Sequence, residues 1–412
     1  LGQSFHEYDR KTEHARFLQW LGKTVRELEV DILLMAGDIF DNPNPSAESQ
    51  KIYFSFLRKI THENPELQII ITAGNHDSAA RMEAPNPLLE EMNITVRGVI
   101  RRNPNGDIDY ERLVIPLNKG GYCLAAPYMR QGDYPNAENY SKSVKAMYDK
   151  LYEIALAKIE NNKEFAPVIA MGHLQAAGSE ISENDRSERT IIGGLECVSP
   201  DAFPKGIAYT ALGHLHRGQR VSGRNNVRYS GAPIPMSFAE KNNQQGVLFV
   251  RINEAIQQTV TTDNIFSTIT GITGNGYNID IQHIAYEDTV KLISIPQNAL
   301  PLSDVLDEIK KLPEGKITDC SPFLEIKVLV TEPEPSMRYQ IEKMLSGKSV
   351  RLARISAVTQ KYESNEQPVS FEKLETINPL DMALKIYEHQ YGEKMPETML
   401  NLLHKTIREI EK

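Results

Sequence analysis

The chain contains 412 residues, 40% of them hydrophobic, which predicts two or three domains with substantial cores. No apolar stretch approaches the roughly 18 residues of a membrane helix and no signal peptide is visible, which argues against a membrane protein. Three widely spaced cysteines argue against a disulfide framework and predict the reducing cytoplasm. The net charge of −9 excludes a protein coated with basic residues for DNA.

Four apolar runs in the chain each stop at a glycine that is followed by a polar side chain. Such runs predict strands buried on both faces, and the glycine allows a sharp turn and a close backbone approach. The runs are 30–37, 67–74, 168–172 and 207–213, and the polar residues after them are Asp38 and Asp41, Asn75, His76 and Asp77, His173, and His214 and His216. Because ligands gather at the carboxyl ends of such strands, we expect one site built from all four.

The residue types at these strand ends indicate a metal centre. Carboxylate, amide oxygen and imidazole without thiolate suit Mn²⁺, Fe²⁺ or Zn²⁺ better than a soft metal. The set is too large for one tetrahedral ion and fits two ions roughly 3.5–4 Å apart, an arrangement used for attack on phosphate esters. A histidine beside the ions that is not a ligand can protonate the leaving oxygen.

Each segment also has a plainer interpretation. The turn from Asp38 to Asp41 is typical of an Asx cap, and His173 alone is typical of a hydrogen-bonded structural histidine. The pair His214 and His216 is more specific, because side chains two apart on extended backbone point to one side. The joint occurrence of all four segments favours the metal centre.

Residues 47–60 predict a helix with two adjoining apolar stripes. These stripes are Ile52, Phe56 and Ile60, and Tyr53 and Leu57. Core packing explains both, and a helix that pairs with a second copy of the chain is the alternative.

A basic segment follows the last strand end. Residues 213–231 contain no acidic residue and four arginines, which are Arg217, Arg220, Arg224 and Arg228. A local basic wall beside a metal centre would hold a phosphate backbone even on an acidic protein. A solvated hairpin is the other interpretation, because residues 222–226 have good turn chemistry.

The alternation of strands and helices up to about residue 265 predicts an α/β, two-sheet sandwich. A polar, glycine-rich passage at 270–278 suggests a boundary, so the first domain is predicted to span 1–278. A small α+β domain is then predicted over 279–360, from strands at 289–295 and 323–330 and helices at 302–309 and 337–345.

Residues 361–378 are typical of a linker, and 379–412 predict a C-terminal helical pair. Isolated helices of this length are marginal, so the pair should dock. Docking on its own chain and gripping a partner are both open.

In this order, the four strand-end motifs resemble the calcineurin-like metallophosphoesterases. Further segments make the chain similar to the bacterial SbcD nuclease subunits, counterparts of the archaeal and eukaryotic double-strand-break repair nucleases. These segments are residues 74–78, 188–194, 211–216 and 229–238. The resemblance is strong over roughly residues 1–250 and loose beyond.

The resemblance implies roles for the strand-end residues. Asp38 would bridge two divalent ions, with manganese as the expected metal, and Asn75, His173 and His214 would complete one shell. His216 would bind the second ion, and His76 would be the catalytic histidine that binds no metal. Asp41 and Asp77 would be supports, the first as a helix cap and the second as the partner of a nearby histidine.

The SbcD family begins with a strand ending in Asp-x-His before Leu-Gly, and this sequence starts at Leu1-Gly2. Those two residues would serve the same ion as His216. We therefore expect the second ion site to be incomplete in this chain.

The resemblance implies a DNA nuclease that acts on duplex ends, single strands or hairpins in DNA repair and recombination. It would work as a homodimer with an SbcC-type ATPase, which residues 379–412 would grip, and the small α+β domain would be a capping domain that helps distinguish DNA forms. One alternative is a small-molecule phosphodiesterase or nucleotidase, which needs neither a basic wall nor a tail. Another is a non-catalytic scaffold that dimerises the ATPase.

Overall fold

The computed structural model describes residues 1–159, 166–179, 197–254, 271–272, 277–330, 334–359, 396 and 399–400. The chain divides into two compact units, Leu1–Val358 and Thr359–Lys412. The fold below is that of the first unit. The predicted linker at 361–378, nearly all of the predicted helical pair at 379–412 and the segment at 188–194 lie outside the described residues.

The described residues form strands and helices in an order that alternates through the first 250 residues. The helices are α1 Lys11–Glu27, α2 Ala47–Glu63, α3 Ala79–Glu83, α4 Asn86–Leu89, α5 Tyr140–Ile159, α6 Leu302–Lys310 and α7 Met337–Leu345. The strands are β1 Ser4–Phe5, β2 Tyr8–Asp9, β3 Ile32–Ala36, β4 Gln68–Thr72, β5 Ile94–Arg97, β6 Val114–Pro116, β7 Tyr122–Ala125, β8 Val168–His173, β9 Tyr209–Gly213, β10 Gln219–Val221, β11 Arg224–Tyr229, β12 Gly246–Glu254, β13 Gly271–Ile272, β14 Tyr277–Ala285, β15 Leu292–Leu300, β16 Phe323–Val330 and β17 Arg351–Thr359. Among these helices, none has the length and apolar character needed to span a bilayer.

Two sheets packed face to face form the body of the molecule. One has the order β10-β11-β9-β8-β7-β6, and the other has the parallel order β3-β4-β5. Their facing side chains, such as Ile70, Cys123, Ile169 and Met171, form one buried cluster. Helices α1 and α2 contribute to the core that includes the outer face of the three-stranded sheet, and α5 to the core on the other side. The predicted two-sheet α/β sandwich is confirmed.

Helix α2 packs into the core, which is the first of the two interpretations of its sequence. Tyr53, Phe56, Leu57 and Ile60 are buried, so both apolar stripes contribute to the core. Ser46 caps this helix, with its hydroxyl accepting from the backbone N–H of Ser49.

Strand β14 crosses the position where the sequence suggested a domain boundary. It pairs along its whole length with β12, from Glu254 opposite Tyr277 to Gly246 opposite Ala285. Ile281 of this strand packs against the cluster between the two large sheets. A boundary at residue 278 would cut this strand. The polar passage at 270–278 therefore leads into a further strand of the sandwich and does not end the domain. We place the boundary after Ala285 instead.

The second part of the unit is a small α+β domain, as predicted. Strands β15, β16 and β17 form one sheet, and α6 and α7 pack on it around a core that includes Val305, Ile309, Ile326 and Ile341. The predicted bounds of the central strand and of both helices agree with the structure to within a residue. The first strand starts at Leu292, later than predicted.

Arg10 is buried at the junction between the sandwich and this domain, with 0% of its surface exposed. Its Nε and Nη2 donate to the Glu13 carboxylate at 3.0 and 2.7 Å, and its Nη1 donates to the Pro235 carbonyl at 2.7 Å. The guanidinium carbon lies 5.8 Å from the centre of the Phe323 ring, and that of Arg351 lies 3.7 Å from the same ring. The cation–π contact of Arg10 with Phe323 therefore joins the two parts, and Arg351 stacks on the same ring from within the small domain.

The connector between β14 and β15 is packed as well. Tyr286 and Val290 are buried, and the Tyr286 backbone N–H donates to the Gln245 carbonyl at 2.9 Å. The Tyr286 ring lies 5.3 Å from that of Phe17 and 5.1 Å from that of Trp20 on α1. Residues 286–291 therefore follow a fixed course between the two parts.

Replacing Glu13 with alanine (Glu13→Ala) is expected to lower the free energy of unfolding by about 3–5 kcal/mol, because the buried Arg10 guanidinium loses its counter-charge. The matched control is Glu27→Ala on the same helix. Its exposed carboxylate lies 3.6 Å from Lys23, and its loss should cost less than about 1 kcal/mol. Urea unfolding followed by circular dichroism measures both variants, and equal losses would contradict the role of the buried pair.

Candidate metal centre

The carboxyl ends of strands from both sheets meet at one edge of the sandwich. Asp38 and Asn75 follow β3 and β4, His173 is the last residue of β8, and His214 follows β9. A hydrogen bond from His173 Nδ1 to the Ala36 carbonyl at 2.8 Å crosses from one sheet to the other. The packing of the two sheets thus brings together four residues that are far apart in the sequence.

These four side chains face one another at short range. His173 Nε2 lies 3.1 Å from Asp38 Oδ2 and 2.9 Å from Asn75 Oδ1, and His214 Nδ1 lies 3.1 Å from the same Asn75 oxygen. One ligand atom each from Asp38, His173 and His214 lies within 4.8 Å of the others. The arrangement brings one carboxylate, one amide and two imidazoles to a common point.

The hydrogen bond of His173 decides which of its nitrogens faces the centre as a ligand. A carbonyl oxygen only accepts, so Nδ1 carries a proton, and Nε2 is the nitrogen that faces the Asp38 and Asn75 oxygens and that would bind a metal ion once deprotonated. Carboxylate and amide oxygens with imidazole nitrogens make up a donor set without thiolate. The donor set therefore fits a divalent cation of the Mn²⁺, Fe²⁺ or Zn²⁺ class.

The backbone at the centre is strained where the ligands leave the strands. Asp38 has φ 52° and His214 has φ 98°, values that residues with a side chain rarely adopt. A Cβ atom on Gly213 would lie 1.8 Å from the Ala36 carbonyl oxygen, and one on Gly74 would lie 2.0 Å from Asp38 Oδ1. Glycine at 213 therefore allows the two sheets to approach this closely, and glycine at 74 leaves room for the Asp38 carboxylate.

Opposite charges set the protonation of the buried pair. Burial disfavours a charged Asp38, but the nearby His173, reinforced by a hydrogen bond from the backbone N–H of His76, holds the pKa of its carboxyl well below the usual range. Burial also disfavours a charged His173, and the Asp38 carboxylate outweighs this and raises the histidine pKa. The pair thus favours an ionised carboxylate, the form that binds a metal.

Asp77 supports the centre through backbone hydrogen bonds. Its carboxylate accepts from the backbone N–H groups of Ile39, Phe40 and Gly74 at 3.1, 2.9 and 2.9 Å. It therefore braces the turn after β3 against the turn after β4. The expected partnership with a histidine stays a prediction, and the contacts described above are with the backbone of the two turns.

Asp41 is not the cap of a helix, because Ser46 caps α2. Its carbonyl instead lies 2.9 Å from Nδ1 of His76, so the histidine donates and Nδ1 carries the proton. Nε2 of His76 is then the ring atom that can exchange a proton with a substrate. The backbone N–H of His76 donates to Asp38 Oδ1 at 3.0 Å, which places this ring beside the centre.

His216 lies on the same loop as His214 but contacts a different group. Its Nδ1 is 3.2 Å from Oε1 of Glu240, a buried carboxylate that also accepts from Met236 N and Ser237 Oγ. A carboxylate behind Nδ1 orients an imidazole in the way that supports metal ligation through Nε2. Sequence reasoning missed Glu240, because an isolated glutamate after a loop carries no motif.

Three of the four arginines lie in the predicted hairpin of β10 and β11, and Arg217 precedes it. Arg224 Nη1 donates to the Pro200 carbonyl at 2.7 Å, and Arg228 Nε donates to the Asn225 carbonyl at 2.8 Å. Burial lowers the pKa of both guanidiniums. Arg217 and Arg220 are exposed. Hairpin contacts thus account for Arg224 and Arg228, and Arg217 and Arg220 are the two arginines of this segment that are exposed to solvent.

Tyr128 is a second residue that the sequence did not single out. Its backbone N–H donates to the Ala73 carbonyl at 2.8 Å, and its ring lies 6.2 Å from that of His173. A single tyrosine in a loop has no pattern that would reveal this position. The register of β7 beside β8 brings it to the centre.

Comparison with known proteins agrees with this geometry. Residues 6–218 match the family described as calcineurin-like phosphoesterase, and residues 288–391 match the type 5 capsule protein repressor C-terminal domain. The first match contains every strand end that carries a candidate ligand.

Curated relatives extend over more of the chain. The SbcD subunit of the SbcCD nuclease of Rhodobacter capsulatus is 33% identical over 369 residues, 86% of this chain and 84% of that protein. The proteins of the same name from Escherichia coli K12 and Bacillus subtilis are 29% and 28% identical, over 64% and 61% of this chain and 66% and 63% of their own lengths. The chain therefore belongs to the calcineurin-like phosphoesterase family, among the relatives of the SbcD nuclease subunits.

Proposed function

We propose that this chain is the nuclease subunit of a DNA-processing assembly and hydrolyses phosphodiester bonds of DNA in repair and recombination. The observation that carries the proposal is the convergence of Asp38, Asn75, His173 and His214 at one strand edge. The name shared by the relatives supplies DNA as the substrate. We therefore expect the protein to act in the cytoplasm, where the DNA of a bacterial cell lies.

In this proposal the four converging residues hold one divalent ion, and Asp38 and His216 contribute to a second. Manganese is the metal we expect. When bound, two such ions lower the pKa of a water molecule and stabilise the negative charge that grows on phosphoryl oxygens. Glu240 fixes the ring of His216, and Asp77 holds the turn that carries Asp38.

His76 moves the proton in this scheme. The Asp41 carbonyl holds Nδ1, so Nε2 delivers a proton to the oxygen that leaves when the P–O bond breaks. The backbone hydrogen bond to Asp38 keeps the ring at a fixed place beside the phosphate.

Two exposed arginines would hold the DNA backbone. Arg217 follows His216 directly, and Arg220 lies on β10 of the hairpin that starts at the centre. Local positive charge of this kind attracts phosphates although the chain is acidic overall. The small α+β domain, fixed to the sandwich through Arg10, would act as the capping domain beside the bound DNA.

The partners in this proposal are a second copy of the chain and an SbcC-type ATPase. Leu88 on α4 is 75% exposed, and Phe54 on α2 is 37% exposed. A homodimer would bury such residues. Residues 379–412 would bind the ATPase through their apolar stripes.

The substrate is tested by comparing metal-dependent hydrolysis of duplex DNA, single-stranded DNA and bis(p-nitrophenyl) phosphate by the full chain with Mn²⁺. We expect cleavage of DNA at rates well above that of the small diester. Hydrolysis of the small diester with none of either DNA would favour a small-molecule phosphodiesterase and overturn the proposal.

His76→Ala is expected to reduce DNA cleavage by roughly 10²–10⁴-fold, the usual contribution of a positioned proton donor. Metal content, measured by elemental analysis after gel filtration, should stay at the level of the parent chain, because His76 is not a ligand. Asp38→Asn serves as the comparison and should lose bound metal and activity together. Loss of metal from the His76 variant would make this histidine a ligand and change the assignment.

Leu88→Asp is expected to shift the chain from dimer to monomer, because a charge at the centre of an apolar interface is left without a partner. Sedimentation velocity measures the shift. Ile317→Asp is the control, since Ile317 is 59% exposed on the small α+β domain. A dimer that survives Leu88→Asp unchanged would remove α4 from the interface.

Removing residues 379–412 is expected to abolish association with the ATPase and to spare cleavage of single-stranded DNA. Co-purification of the shortened chain with the ATPase measures the first effect, and a nuclease assay with Mn²⁺ measures the second. Retained co-purification would show that the partner binds elsewhere.

A further inference from the structure

A cavity of about 650 Å³ lies beside the loop that leaves strand β7. Three tyrosines line it, Tyr110, Tyr134 and Tyr140, and the rings of the last two lie 5.3 Å apart at 67°. The aromatic side chains are partly buried and pack on the core of the larger sheet, so their positions are fixed. A volume of this size accommodates one small organic group, such as a nucleoside.

The loop from residue 126 to 139 connects this cavity with the metal centre. Strands β7 and β8 run parallel with Ala125 opposite Met171, so the residues after Ala125 emerge beside His173. Tyr128 stands there with its ring 6.2 Å from that of His173. Tyr134, six positions further along the same loop, lines the cavity. One continuous segment therefore carries aromatic rings from the centre to the cavity.

Two arginines, one on this segment and one in the cavity wall, offer positive charge to the phosphates of a nucleic-acid strand. Arg130 is exposed, and its guanidinium carbon lies 5.4 Å from the centre of the Tyr128 ring. Arg102 lines the cavity and donates to the carbonyls of Gly106 and Gly132 at 2.7 Å each, which joins the two loops that form its walls. Arg130 thus places a positive charge on the segment beside the metal centre, and Arg102 places another in the wall of the cavity.

Three acidic groups also lie near the cavity, and two of them are engaged by neighbouring groups. Asp133 accepts from the backbone N–H of Arg130 at 2.8 Å, and Glu138 is paired with Lys142. Asp107 lines the wall together with Asn136, so this wall offers hydrogen-bond acceptors and donors suited to base edges. Burial raises the pKa of Tyr128 and Tyr140, which keeps both phenols neutral.

We propose that this cavity and the loop beside it bind an unpaired segment of the DNA strand that enters the metal centre, with bases stacked on Tyr134 and Tyr140. The inference rests on the proposed nuclease function and adds the single-strand binding site to it. Bases of any sequence stack on aromatic rings, so the site would favour unpaired DNA without reading its sequence.

The test is Tyr134→Ser in the full chain, with binding of a fluorescein-labelled 15-mer of thymidylate measured by anisotropy at fixed salt. Loss of one stacked base is expected to weaken this binding by about 10-fold. Tyr134→Phe keeps the ring and should bind as the parent chain does.

A second measurement covers the case in which Tyr134→Ser folds poorly. The parent chain is irradiated with a 15-mer that contains iododeoxyuridine, and the cross-linked peptides are mapped by mass spectrometry. Cross-links to Tyr134, Tyr140 or Tyr110 support the site, and cross-links confined to other regions overturn it.

The outcomes separate this inference from the function on which it rests. A parent chain that cleaves DNA but whose Tyr134→Ser variant is folded and binds the 15-mer equally well overturns the cavity and leaves the nuclease proposal standing. A parent chain that cleaves no DNA with Mn²⁺ overturns both.

Discussion

The contact between the ends of strands β3 and β8 sets the geometry of the whole centre. The Ala36 carbonyl accepts from His173 Nδ1, and Gly213 packs against the same oxygen without room for a Cβ atom. The two sheets therefore meet at one spacing, and Asp38 and Asn75 arrive from one side while the histidines arrive from the other. The hydrogen bond also fixes the tautomer of His173, so the packing of the sheets and the chemistry of a ligand depend on the same atom pair.

The strand ends were predictable because their signal is local. A buried strand, a glycine and a polar residue lie next to one another in the sequence, and the topology of an α/β sandwich brings such ends together. The elements of the small α+β domain were predictable for the same reason, since the periodicity of residues 302–345 is regular. The polar passage at 270–278 misled because polarity indicates a loop and says nothing about which sheet the next strand joins.

The supports of the centre were not predictable, because they depend on contacts between distant segments. Asp77 binds three backbone N–H groups that come from two different turns, and no pattern distinguishes such a carboxylate from a partner of histidine. Glu240 reaches His216 across a loop, and Tyr128 reaches His173 through the register of neighbouring strands. The four arginines were visible in the sequence, but the sequence did not show that two of them make hairpin contacts and that the other two are exposed.

The packed connector at residues 286–291 limits how the two parts of the unit can move. Rotation of the small α+β domain would have to withdraw Tyr286 from Phe17 and Trp20, and Val290 from its buried cluster, before any hinge could open. Arg10 would lose its ring contact with Phe323 in the same movement. The surface that the two parts present is thus held in one shape, so a ligand bound across it would have to adapt its own shape to the protein.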